Sequence, residues 1–179
     1  MRRRLLALLA LVLVTSVVAL GISVSRGTPT LTAAGPTSVA GTSGTGVFTI
    51  GEHTVRQIRY EDAGTLAYTF WLTNDGRLPV TVLGLDPDQD NPRLFSLEQL
   101  SRTRIGAGDT EEVTLRLGMG GCETLSSRAG SFVTSVRMRT QQAGLFEDVV
   151  EVVLPEELHT GSPREAFCPN STATSRPPG

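Results

Sequence analysis

Thr65 to Asp86, TLAYTFWLTNDGRLPVTVLGLD, holds two apolar, β-prone runs on either side of the only dense turn signal in the middle of the chain. Within Thr65–Asn74, Leu66, Tyr68, Phe70 and Leu72 alternate with Thr65, Ala67, Thr69, Trp71 and Thr73. A period of two puts the first set on one face of a strand, and its apolar character makes that face the core. Asn74-Asp75-Gly76 supplies residues that tolerate positive φ, and Pro79 fixes the backbone as it enters a second strand, Val80–Leu85. Gly84 marks a bulge in it.

The same period governs the flanks. Val47–Ile50 and Thr54–Tyr60, divided by Gly51, read as edge strands, while Thr110–Leu117 turns Val113, Leu115 and Leu117 inward. Asp86 to Asp109 is less regular, its apolar patch at Leu94, Phe95, Leu97 and Leu100 fitting either a short strand or one turn of helix. Ser131–Thr140 is expected to bury Phe132, Val136 and Met138 and to present Arg137 and Arg139. Leu145–Leu154 is apolar on both faces around Glu151, which suits a central strand or one covered by the tail, and Pro155 is expected to end it. Seven or eight such strands predict an all-β sandwich over residues 47–168, a size typical of one domain.

Two segments precede this domain. Met1 to Arg4 carries three arginines, and Leu5 to Val24 is then 20 residues without a charge. The length matches the roughly 20 residues that span a bilayer and exceeds the usual cleavable signal of about 7 to 15, so residues 1–26 read as an uncleaved hydrophobic helix. It would anchor the chain in the plasma membrane through residues 5–24, with the arginines inside and the C-terminal domain outside. Cleavage after Val17-Val18-Ala19 or near Ala33-Ala34 is the alternative and would yield a secreted protein. Residues 27–46, mostly Gly, Thr, Ser, Pro and Ala with Leu31 and Val39 as the larger apolar exceptions, are expected to form a flexible spacer reaching roughly 25 Å, with an edge strand over part of them as the alternative. Residues 169–179 are expected to be a disordered tail, and the sequon-like Asn170-Ser171-Thr172 within it has no use in a bacterium.

Composition removes one class of partner. All 16 basic residues are arginine, a bias suggestive of a GC-rich bacterial genome, and beyond Arg26 there are 12 arginines against 18 acids, a formal charge of −6. No basic footprint for nucleic acid remains.

With its N-x-G turn (Asn74, Gly76), the following P-V-x-V (Pro79, Val80, Val82) and the later Gly108 leading into Val113, Leu115 and Leu117, the chain resembles the immunoglobulin-like sandwiches of bacterial, notably actinobacterial, envelope proteins and the related hydin-type domains. The resemblance covers Val47 to about Pro155 and implies a binding or spacer module. The chain departs from antibody domains in lacking cysteines on its core strands.

Cys122 and Cys168, with 45 residues between them, are most simply one disulfide in an exported protein. The chain-entropy model gives it about 4 kcal/mol, and it would clamp the tail back across the sandwich. Catalysis would have to draw on His53 or His159, neither near a nucleophile motif, and no cofactor is expected. Asp86, Asp88 and Asp90 alternate in DPDQDN and could converge on calcium, although the sixth position is Asn rather than Gly and the twelfth is Leu97. Trp71, on the non-core face of its strand, is a candidate contact anchor, with burial under a loop as the alternative. These features point to a non-catalytic envelope module that binds a protein partner; a calcium-dependent or carbohydrate-binding module serving an envelope enzyme is the alternative.

Overall fold

A computed structural model describes residues 11–16, 28–121 and 130–160 of the chain, and within them ten strands form two sheets. In chain order they are β1 (Leu31–Ala40), β2 (Thr45–Ile50), β3 (His53–Ile58), β4 (Thr65–Asn74), β5 (Val80–Leu85), β6 (Phe95–Leu100), β7 (Thr103–Ile105), β8 (Thr110–Met119), β9 (Ser131–Gln142) and β10 (Phe146–Thr160). One sheet has the order β1-β4-β8-β6 and is antiparallel throughout. The other has the order β2-β3-β10-β9-β5-β7, antiparallel except for the parallel pair β3–β10.

A single apolar core lies between the sheets. Leu66, Tyr68, Phe70 and Leu72 of β4 and Val113, Leu115 and Leu117 of β8 face Ile58, Val80, Val82, Val136, Met138 and Leu158 of the opposite sheet. Tyr68 and Phe70 stack with ring centroids 5.5 Å apart. Each fully buried side chain of this size is worth about 1.5–3 kcal/mol, whereas strand propensity spans only about 1 kcal/mol, so burial sets which face points inward. The alternation in Thr65–Asn74 is therefore reproduced residue by residue, and the bulge at Gly84 falls at a register shift after Val82, with φ at 146°. Asn74, wholly buried, donates through Nδ2 to the carbonyls of Leu78 (2.8 Å) and Gly106 (2.9 Å) and accepts from the Gly76 amide (3.0 Å). That ties the β4–β5 turn to the loop before β8.

Four expectations are corrected. The stretch expected as a flexible spacer carries β1, which pairs with β4 as an edge strand. Leu31, Ala33 and Val39 face inward, and the ladder is interrupted between Ala34 and Ser38, where Pro36 costs no pairing. β3 is an internal strand rather than an edge, because β10 lies beside it. Pro155 does not end β10: it sits in a bulge where five steps of β10, Val153 to Leu158, match two of β9, Ser135 to Val133. Through that bulge β10 keeps its alternation and β9 changes phase, so Ser131 and Val133 face inward and Phe132 points out at 59% exposure. The ambiguous apolar patch resolves as strand β6, and β7, only three residues long, gave no period to read.

Of the hydrophobic leader, only residues 11–16 are described; they are helical and exposed, and among the described residues no helix is long and apolar enough to cross a membrane.

The two sheets are also joined along one lateral seam by polar groups. Arg56 of β3 pairs through Nε with Glu156 of β10, their side chains 12% and 5% exposed, and donates through Nη2 to Thr37 Oγ1 (2.9 Å). Thr37 in turn donates to Glu156 Oε1 (2.9 Å). The Tyr68 hydroxyl is buried beside this group without an aligned hydrogen bond. Burial first, and then the Glu156 charge, pushes its phenol well above the ordinary value of 10.0.

This shift has a sign. The unfolded chain loses the Tyr68 proton near pH 10 and the folded chain only at higher pH, so the contribution is complete below about pH 10 and is lost above it. Urea denaturation should show stability falling by up to about 1.4 kcal/mol per pH unit above that point, and falling less in Tyr68→Phe. With no lysine in the chain, few other groups titrate there. Equal slopes in the two proteins would refute the assignment.

Candidate functional site

The bulge at Gly84 delivers the chain from β5 into the loop that starts at Asp86. Asp86 extends the β5–β9 ladder by one bond, its amide donating to the Arg137 carbonyl (2.9 Å). Its carboxylate is 5% exposed, buried beneath the loop: Oδ1 accepts from the Asp88 amide (3.2 Å), and Oδ2 lies 2.7 Å from Arg137 Nη2 as a charge contact rather than an aligned hydrogen bond. Gln89 completes the attachment by accepting from the Arg137 amide through Oε1 (3.1 Å). One carboxyl-capped turn, one amide side chain and one arginine thus hold the loop against β9.

Shallow clefts lie on both sides of this loop. One, of about 410 Å³, opens between β5 and β6, with Asp86, Gln89, Asn91, Glu98 and Arg102 on its walls. The other, of about 200 Å³, is lined by Asp90, Phe132, Ser135, Arg137 and Glu151, the Ser135 hydroxyl donating to Glu151 Oε1 (2.7 Å).

The acids of DPDQDN are not brought together. Asp86 is engaged by Arg137, Asp88 and Asp90 lie outside that pair, and no group of three or more acidic, histidine or cysteine side chains suited to a metal ion occurs among the described residues. Cys122 and Cys168 both lie outside the described residues.

Both histidines lie on the outer face of β3 and β10, at separate positions along the pair. His53 Nδ1 is 3.0 Å from Glu157 Oε1, and His159 Nδ1 is 2.7 Å from Gln57 Oε1, so each is taken up in a cross-strand pair. Trp71 does face away from the core, between Ala34 of β1 and Glu112 of β8, but it is half-buried. Around it hydroxyls pair across strands, Thr69 with Thr114 (3.2 Å) and Thr73 with Thr110 (2.9 Å).

Sequence reasoning missed the exposed apolar side chains. On the outer face of the six-stranded sheet Phe132, Val149 and Val153 are 59%, 39% and 70% exposed, and on β2 Val47, Phe48 and Ile50 are 50%, 55% and 65% exposed. The signal for the first group was present in β10, apolar on both faces, whose outer face is exposed at Val149 and Val153. Searches against family models and curated proteins gave no match for this chain.

The Asp86–Arg137 pair is asymmetric, since the Arg137 side chain is 47% exposed and can reach water alone while Asp86 cannot. Arg137→Met should therefore destabilise the fold by about 1–3 kcal/mol and Asp86→Asn by less, because only the first leaves a buried charge without its partner. Urea midpoints measured for both variants would decide it, and the reverse order would refute this account of the loop.

Proposed function

We propose that the chain is a non-catalytic, exported binding module of the bacterial envelope, tethered by residues 5–24, that holds a protein partner on the outer face of its six-stranded sheet. The observation that carries this reading is the exposed row Phe132, Val149 and Val153. Apolar groups clustered on one face mark contact surfaces more often than singly scattered ones do. Glu151 and Arg137 beside them provide a polar rim, the usual surround of such a patch. An immunoglobulin-like assignment is supported by strand order: β1-β4-β8-β6 against β10-β9-β5 parallels the ABED and GFC sheets of that fold. The triple-arginine leader supports export, and both histidines are engaged in cross-strand pairs, His53 with Glu157 and His159 with Gln57.

A photoreactive phenylalanine analogue placed at Val153 in intact cells should capture a discrete envelope protein, whereas the same group at exposed Glu111 of the opposite sheet should not. Identical capture profiles at the two positions, or a domain inaccessible to protease added outside the cell, would end the reading.

A second reading is favoured by Trp71. An indole set among threonine hydroxyls on a sheet face offers stacking for the apolar face of a pyranose with hydrogen bonds at its rim, the arrangement expected of a glycan-binding surface. Trp71 is the single tryptophan, so emission reports that face alone. Saturable quenching by soluble cell-wall glycan fragments, lost when Thr114 is replaced by Val, would favour this reading; unchanged emission would remove it.

A further inference from the structure

The four sheet edges among the described residues are not alike. β1 is interrupted by the bulge that contains Pro36, β6 is broken by a register shift between Leu97 and Gln99 that contains Glu98, and β7 is three residues long with Arg104 at its centre. Each bears one of the devices that keep an edge from pairing: proline, a bulge, a charge or shortness. β2 bears none of them. Its sequence Thr45-Gly46-Val47-Phe48-Thr49-Ile50 has no charge and no proline, and it pairs with β3 over six consecutive positions without a shift. Among the described residues its other side is an open row of backbone donors and acceptors.

We infer that β2 pairs antiparallel with β2 of a second copy of this chain, about a two-fold axis through Thr49, so that two six-stranded sheets join into one. Phe48 and Ile50 lie on the same face of the strand, and this register places Phe48 of each copy opposite Ile50 of the other, twice over. Apolar cross-strand pairs of this kind stabilise a ladder. Val47 then meets Gly51, which has no side chain and adopts φ of 63°, and Glu52 meets Gly46. Self-complementarity selects the occupant: about this axis one uncharged strand supplies both members of two identical Phe48–Ile50 pairs, as an isologous contact between copies requires. Along β2 no acid opposes an acid. One strand pair is a small interface, and the dimer should accordingly depend on concentration. Phe48 and Ile50 lie at the β2 margin of the same outer face that carries Phe132 and Val153, but the partner of the proposed function does not enter this pairing.

The test uses the full chain in cells, treated with a short bis-maleimide, with wild type as the baseline for the native cysteines. Thr49→Cys, on the axis, should give a covalent dimer, and Leu145→Cys, also at an exposed position, in the β9–β10 turn, should not. Adding Phe48→Lys to Thr49→Cys should lower the dimer fraction by about tenfold or more, because an edge lysine replaces the apolar pair. Adding Ile50→Asp as well should restore the dimer, since the introduced ammonium of each copy then faces the introduced carboxylate of the other. Trp71 emission checks that each variant is folded. The inference is overturned if Thr49→Cys gives no dimer or no more than Leu145→Cys, if it links to another polypeptide or only within its own chain, or if the double charge variant stays monomeric.

Discussion

A charge pair withdrawn from water holds the seam of this sandwich. Arg56 and Glu156 are nearly excluded from solvent, and such a pair adds little net stability compared with apolar residues of the same size. Its effect is on placement. Losing either partner would strand a buried charge, so β3 and β10 must lie where the guanidinium and carboxylate meet, and β1 must bring Thr37 to them. The interruption of β1 around Pro36 and the bulge of β10 around Pro155 flank these contacts, and each bends its strand where a regular ladder would run on.

The bulge in β10 also shapes the outside of the molecule. Because β9 changes phase opposite it, Phe132 is turned to solvent instead of into the core, and it joins Val149 and Val153 on the outer face. The other sheet presents a different chemistry, threonine hydroxyls around one indole. One sandwich therefore offers an apolar face and a hydroxyl face on opposite sides, with the loop held by Asp86 and Arg137 at the end of β5.

Where burial decided, the sequence was easy to read. Leu66, Tyr68, Phe70 and Leu72 lie in a regular strand with a fully buried face, and alternation alone located them, as it did Val113, Leu115 and Leu117. Residues 31–40 were harder because their inward set, Leu31, Ala33, Thr37 and Val39, is broken by the bulge, and small or polar members carry little hydrophobic signal. Phe132 was misplaced because a phase change in β9 is caused by the strand beside it, and no property of Ser131–Thr140 itself encodes it. The acids of DPDQDN could be counted, but the burial of Asp86 depends on Arg137, which is remote from it along the chain. Of the candidate contact surface, only the two-faced apolar character of β10 was visible in advance.

The parallel pair β3–β10 has a consequence for the order in which the protein can be made. The partners Thr37 and Glu156 are 119 positions apart, and Arg56 and Glu156 are 100 apart. Contacts of such high contact order are slow to form, because a long loop must close before any of them is gained. During synthesis β1 to β9 emerge first, and the arginine of β3 stays without its carboxylate until β10 follows. The seam is thus closed only when β10 emerges, and a chain truncated before Pro155 would keep it open, with the edge of β3 exposed to other chains.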